Sequence, residues 1–188
     1  MKKQFDTERK LYTLVILVQD VPGVLSQVAR LFSRKGYNIE SIVSGETDKP
    51  DITRITIVLL ADGLMISQIA AQCSKLLPVQ AVKILDEATS IQREFALIKV
   101  KAEDRNKRDE VIQISNIFRA NIIDVAVNSI TLSVIGAESK TDAMEKLLRE
   151  YEILELVRTG VIALERGQET IKDETKEKGE FDYGKNVL

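Results

Sequence analysis

The sequence predicts an α+β protein built from two βαββαβ units in tandem, and three observations carry that expectation. Strand-length apolar runs at residues 11–18, 52–60 and 79–85 are separated by stretches whose apolar residues recur at helical spacing. Gly- and Pro-containing breaks at Pro22-Gly23, Gly36, Pro50 and Pro78 punctuate those runs. The same order then recurs at an offset of 83 positions, which sets Glu94–Ile98 beneath Leu11–Val15 and Asn121-Ile122 beneath Asn38-Ile39. Strand, helix, strand, strand, helix, strand is the split-βαβ or ferredoxin-like order. The expected division is an N-terminal extension (1–10), a first unit (11–88), a second unit (89–167) and a charged tail (168–188).

Residues 11–18 (LYTLVILV) are aliphatic and β-branched without clean alternation, the pattern of a strand covered on both faces or paired with another chain. Pro22 suits the first turn of a helix on which Leu25, Val28, Ala29, Leu31 and Phe32 share one side. Arg30, Arg34 and Lys35 lie off that stripe, as a solvated cationic face near a helix C-terminus would. Gly36 ends the helix. Residues 38–46 (NIESIVSGE) and 52–60 (ITRITIVLL) read as an antiparallel hairpin. Asp62-Gly63 opens a second helix carrying Leu64, Ile66, Ile69, Ala70, Cys73, Leu76 and Leu77, Pro78 stops it, and 79–85 (VQAVKIL) returns as a strand.

In the second unit, residues 93–102 form a strand and 108–119 a helix, and a hairpin of 122–127 with 130–135 turns at Asn128-Ser129. Ser139 is the expected cap of the next helix, with Asp142 in capping-box position and Ala143, Leu147 and Leu148 inward. The last strand region, 153–164, bends at Gly160. From Gln168 onward the chain is charge-dense with little aliphatic periodicity, and order there would need a partner or a packing contact.

Composition excludes several function classes. The net charge is -2 and the pI about 5.4. Residues 1–88 carry 11 basic and 10 acidic residues, and the remainder 16 and 19, so neither half is a basic arm for nucleic acid. RNA-binding modules of this fold stack bases on strand aromatics, whereas these strands carry Ile, Val, Leu and Thr. With 0 His, the commonest general base and transition-metal ligand are both missing. Cys73, the single cysteine, sits in QIAAQCSKLL and reads as a small buried hydrophobe. There is no P-loop, GxGxxG or GxSxG, so no catalytic or metal-ligating residue is assigned. The N-terminus lacks an apolar signal region and no run is long enough to span a bilayer, which places the expected compartment in the cytoplasm.

The stretch above background is Asp20 to Asn38 (DVPGVLSQVARLFSRKGYN). A strand that stops at a glycine-containing helix start leaves backbone N–H groups pointing outward, and these attract anions. Gly23 lets a carboxylate approach them, Asn38 offers donor and acceptor atoms, and Asp20 can accept from an ammonium group. Val24, Leu25 and Ile39 add apolar wall. Together they read as a cradle for a small aliphatic zwitterion such as a branched-chain amino acid. The plainer alternative is that Asp20 caps a helix and Gly23 permits a tight turn. The corresponding positions in the second unit are Glu103 and Asn106, inside KAEDRNKRDE, so that unit is not expected to repeat the site.

These residues also carry a resemblance. DVPGVLSQVARLF followed by RKGYNIESI, with GYNIES its most specific piece, resembles the ACT domain that begins the small, regulatory subunit of acetohydroxyacid synthase, also called acetolactate synthase. The resemblance continues through DITRITIVL, QREFALIKV and FRANIIDV to RTGVIALERG, covering about residues 10–167. It implies an N-terminal ACT domain and a C-terminal ferredoxin-like domain, homodimerisation through the ACT units, and association with a large catalytic subunit holding thiamine diphosphate, Mg²⁺ and FAD. This chain would hold no cofactor of its own. It would raise the partner's activity and confer feedback inhibition by a branched-chain amino acid, valine first, in valine, leucine and isoleucine biosynthesis. By motif match, Gly23 and Asn38 fall where the family's effector-binding residues fall. Asp20 departs from the family, where many members carry Asn; a carboxylate there favours an effector's ammonium and disfavours its carboxylate. An amino-acid-sensing ACT-domain transcriptional regulator shares the ligand logic, but it should bring a basic DNA-reading segment, and none is visible.

Overall fold

In the computed structural model, which describes residues 8–171, the chain forms two antiparallel sheets with helices packed on one face of each. The first unit comprises β1 (Lys10–Gln19), α1 (Val24–Lys35), β2 (Ser41–Glu46), β3 (Ile52–Ala61), α2 (Gly63–Cys73) and β4 (Val79–Leu85), with strand order β2-β3-β1-β4. The second comprises β5 (Ser90–Lys101), α3 (Arg105–Ile117), β6 (Asn121–Val125), β7 (Ser129–Gly136), α4 (Glu138–Leu148), a 3₁₀ turn at Arg149–Tyr151, β8 (Ile153–Arg158) and β9 (Ile162–Glu165), with order β6-β7-β5-β8 and β9 also paired to β5. The tandem α+β plan is therefore present.

Each unit closes its own core. Leu14 and Ile16 of β1 and Ile55, Ile57 and Leu59 of β3 meet Val28, Leu31 and Phe32 of α1 and Ile66, Ile69 and Cys73 of α2. Ala96, Ile98, Val100, Ile130, Leu132 and Val134 meet Val111 of α3 and Met144 and Leu148 of α4. Burying each large aliphatic side chain of this kind contributes about 1.5–3 kcal/mol.

A third cluster joins the units. Val15, Leu17, Val58, Ala81 and Leu85, on the face of the first sheet away from its helices, pack against Val161, Ala163 and Ile171. That is why β1 lacks alternation: Leu14, Val15, Ile16 and Val18 are all 0% exposed, covered by helices on one face and by the end of the second unit on the other. The contact that ordering the start of the charged segment requires is Ile171; residues 172–188, and 1–7 at the other end, lie outside the described residues.

Several local expectations are corrected. Helix α1 starts at Val24 with Gly23 as N-cap, so Pro22 precedes the cap rather than occupying the first turn. Its buried stripe is Val24, Val28, Leu31 and Phe32, and Leu25 and Ala29 are exposed. Helix α2 ends at Cys73, and Leu64 and Leu77 are exposed. Helix α4 starts at Glu138 after Ala137, which has no side-chain cap bond. Ser139 therefore lies inside it, Asp142 accepts from Arg158 Nη1 at 2.7 Å, and the buried residues are Thr141, Met144, Glu145 and Leu148 rather than Ala143 and Leu147. The last strand region is two strands that pair different stretches of β5, broken where Gly160 takes φ +81°.

Candidate functional site: the turn between β1 and α1

The turn is pinned at its base. Gln19 N–H donates to Pro78 O and Asp20 N–H to Asp51 O, both at 2.8 Å, so the chain leaving β1 is tied to the turns before β4 and β3. Val24 N–H then reaches Val21 O at 3.2 Å, and Gly23 closes the turn at φ +84°, ψ 0°, a left-handed backbone that favours glycine. A Cβ built there would meet nothing within 4 Å, so the space above Gly23 is open.

The start of α1 differs chemically from two others in the chain. Asp62 caps α2 by accepting from Met65 N–H, and Asp104 caps α3 by accepting from Lys107 N–H, each at 2.8 Å. Gly23 supplies no side-chain acceptor and the first turn of α1 contains no acidic residue. The first helical bond runs from Gln27 N–H to Gly23 O, at 3.0 Å, leaving the N–H groups of Leu25 and Ser26 ahead of it without a helical acceptor. An anion's oxygen placed there would meet N–H donors and the positive end of the helix dipole.

The six sequence-derived residues fall into two groups. Asp20, Gly23, Leu25 and Asn38 are exposed, the side chain of Asn38 donating from Nδ2 to Glu40 Oε1 at 2.8 Å. Val24 is 5% exposed and belongs to the first core, and Ile39 is half-buried against it, so both support the turn from beneath rather than wall a cavity. Asp20 is not the cap that the plainer reading of the sequence made it. Glu40 was not singled out from the sequence; its position two residues beyond Asn38 is the signal that could have named it.

Cys73 is buried as the sequence suggests, and other groups have environments it did not disclose. Burial pushes the Cys73 thiol up to about 12, in keeping with a core hydrophobe. Glu94, 3% exposed, receives two hydrogen bonds from Arg158, which also bonds Asp142 and whose pKa is raised chiefly by the bond to Glu94. A cleft of about 310 Å³ lies beside Val43, Gly45, Arg54 and Ile162, and none of the six residues lines it. Among the described residues no cluster of acidic or cysteine side chains is arranged to hold a metal ion, and no helix is long and apolar enough to cross a membrane.

Comparison with known proteins places the chain as a whole. A family model described as the small subunit of acetolactate synthase matches residues 93–167, and one described as an AHAS small subunit-like ACT domain matches residues 14–81. The probable acetolactate synthase small subunit of Methanothermobacter thermautotrophicus is 42% identical over 166 residues, covering 88% of this chain and 99% of the relative. The chain belongs to the acetolactate synthase small-subunit family. The acetolactate synthase small subunit of Mycobacterium bovis is 44% identical over 158 residues, covering 84% of this chain and 94% of its own. The crystal structure of the small subunit from Thermotoga maritima superposes with a TM-score of 0.79 at 36% identity, covering 85% of this chain and 99% of that one. In the terms of this family, the turn between β1 and α1 belongs to the ACT unit, and the resemblance read from GYNIES holds along both units.

Proposed function

We propose that this chain is the regulatory subunit of acetolactate synthase: it binds the large catalytic subunit, raises its activity, and makes it sensitive to a branched-chain amino acid, valine first, in valine, leucine and isoleucine biosynthesis. The observation that carries the reading is the match to small subunits through both units, extending over 94–99% of two relatives' length. Thiamine diphosphate, Mg²⁺ and FAD belong, on this reading, to the partner. Residues 11–88 form the effector-sensing domain and 89–167 the domain bound to its sheet.

The effector's carboxylate meets the open N–H groups ahead of Gln27. Asn38 bonds its polar end, and Asp20 accepts from its ammonium. Pairing of two chains through their ACT domains completes the site, which gives the effector a different affinity for two arrangements of the dimer. A coupling of about 1–3 kcal/mol between effector and catalytic subunit is enough for useful inhibition. Co-purification with the large subunit, followed by assay of acetolactate formation from pyruvate with each chain alone and together, tests the reading. Co-elution with a raised rate is the expected result; separate elution with an unchanged rate would overturn it.

A further inference from the structure

On the face of the first sheet opposite its helices, β3 places Arg54 and Thr56 beside Gly45 and Val43 of β2, register partners in that order. The β5–β9 ribbon covers most of this face but not the strip along β2, where a cleft of about 310 Å³ remains between that strip and Ile91, Arg93 and Ile162 of the ribbon. Its size is at the small end for ligand pockets. Four features give it a chemistry.

Arg54 is half-buried and donates from Nη2 to Ala163 O at 2.5 Å, and no carboxylate among the described residues pairs with it. Burial alone lowers its pKa, as expected for a desolvated cation without an anion beside it. Glu46 lines the same cleft, yet the two opposite charges form no ion pair with each other. Gly45 contributes no side chain to the floor beside them, and a Cβ built there would meet nothing within 4 Å. The rest of the lining is Thr56, a second cation at Arg93, and an aliphatic wall of Val43, Ile91, Ile162, Ala163 and Leu164.

We propose that this cleft binds a neutral aliphatic amino acid, its carboxylate on the guanidinium of Arg54, its ammonium on Glu46, and its side chain along the aliphatic wall opposite Gly45. The site is separate from the turn at Gly23 and Asn38 and does not rest on that reading. It is walled by both units, so an occupant bridges the first sheet to the ribbon.

The test is calorimetric titration of the full chain with leucine, compared with 3-methylbutylamine and 4-methylpentanoate, which lack the carboxylate and the ammonium respectively. Gly45→Val fills the floor without disturbing Arg54 and suits a strand backbone. Arg54→Gln removes the charge, and circular dichroism verifies the fold of both. Binding of leucine that is weakened about 10- to 100-fold by Arg54→Gln, is abolished by Gly45→Val, survives Asn38→Ala, and is not shared by the amine supports the cleft. Leucine binding that Asn38→Ala removes and that neither cleft variant changes would overturn it, as would no leucine binding at all. The turn reading has its own readout, the valine sensitivity of the reconstituted enzyme, so either can fail alone.

Discussion

Lys83 Nζ on β4 lies 2.7 Å from Glu165 Oε2 on β9, with the two side chains only 13% and 9% exposed. This ion pair, the bond from Arg54 to Ala163 O, and the cluster of Val15, Leu17 and Val58 with Val161, Ala163 and Ile171 fasten the second unit onto the sheet of the first. Removing one partner of a desolvated pair leaves the other charge without it. Glu165→Gln is expected to destabilise the chain by about 2–3 kcal/mol, read from urea unfolding. The double variant Lys83→Met with Glu165→Leu should return to within about 1 kcal/mol of the parent. Equal losses in both variants would mean that packing, and not charge, holds β9.

Gly160 is the second fastening point. Its φ is +81°, and a Cβ there would stand 3.0 Å from Ser41 Cβ and 3.2 Å from Val43 Cγ2 at the start of β2. Gly160→Ala is expected to cost roughly 1–2 kcal/mol from the left-handed backbone alone, with the contact to β2 adding to it. Ser41→Gly in the same chain should recover only the Ser41 share of the contact, leaving that with Val43. A thermal melt in which Gly160→Ala matches the parent would contradict the close approach.

For the proposed effector site, Gly23→Asp puts a carboxylate at the open helix start. Charge there favours the helix dipole while repelling a ligand's carboxylate, and aspartate tolerates the left-handed region better than most residues. Asn38→Ala removes the amide that bonds Glu40. Both variants are expected to bind and activate the large subunit normally, with inhibition by valine shifted to at least about tenfold higher concentration. Unchanged valine inhibition in both would remove the site from this turn.

Cys73 gives a pH signature. Its folded pKa is pushed up to about 12 by burial, from an ordinary value of 9.0. The folded chain therefore keeps a proton that the unfolded chain releases. The stability this thiol permits is intact below about pH 9 and falls through the window from 9 to 12, by up to about 1.4 kcal/mol per pH unit. Cys73→Ala should flatten that part of the profile while lowering stability throughout through the cavity it leaves. In the native chain at pH 8, iodoacetamide should modify the thiol only as fast as the core opens.

Ligand stabilisation of the isolated chain separates direct sensing from sensing in the complex. A ligand that binds the folded chain and not the unfolded one raises its melting temperature, by an amount equivalent to about 2.7 kcal/mol at one hundred times its dissociation constant. Millimolar valine is expected to give such a rise. No shift with valine, leucine or isoleucine would mean that the site forms only with the catalytic partner.

Much of the fold was legible because local and global signals agree. Gly36 closes α1 in the left-handed conformation with Tyr37 N–H on Phe32 O at 3.0 Å, and Asp62 caps α2, both as their residue types dictate. The misses have two physical sources, the residue at which a helix opens and tertiary contacts distant in sequence. Val24 is buried because the turn at Gly23 starts α1 one residue before Leu25, and Thr141, Met144 and Leu148 are buried because α4 opens at Glu138 without using Ser139 as its cap. The break at Gly160 and the seating of β9 across the first sheet depend on partners more than seventy positions away in sequence, such as Lys83 for Glu165, and no local pattern encodes them. At the site, Gly23 was legible as a turn glycine, whereas the role of Val24 as core was not. Arg54 was visible as a lone cation in ITRITIVLL, but its burial follows from the second unit.

The most direct measurement is the rate of acetolactate formation by the purified large subunit, with and without this chain, over a titration of valine. The account predicts no activity from this chain alone, a higher rate when it is added to the large subunit, and inhibition by valine that appears only in its presence and is relieved by Asn38→Ala. A rate and valine response of the large subunit that are the same with and without this chain would contradict it.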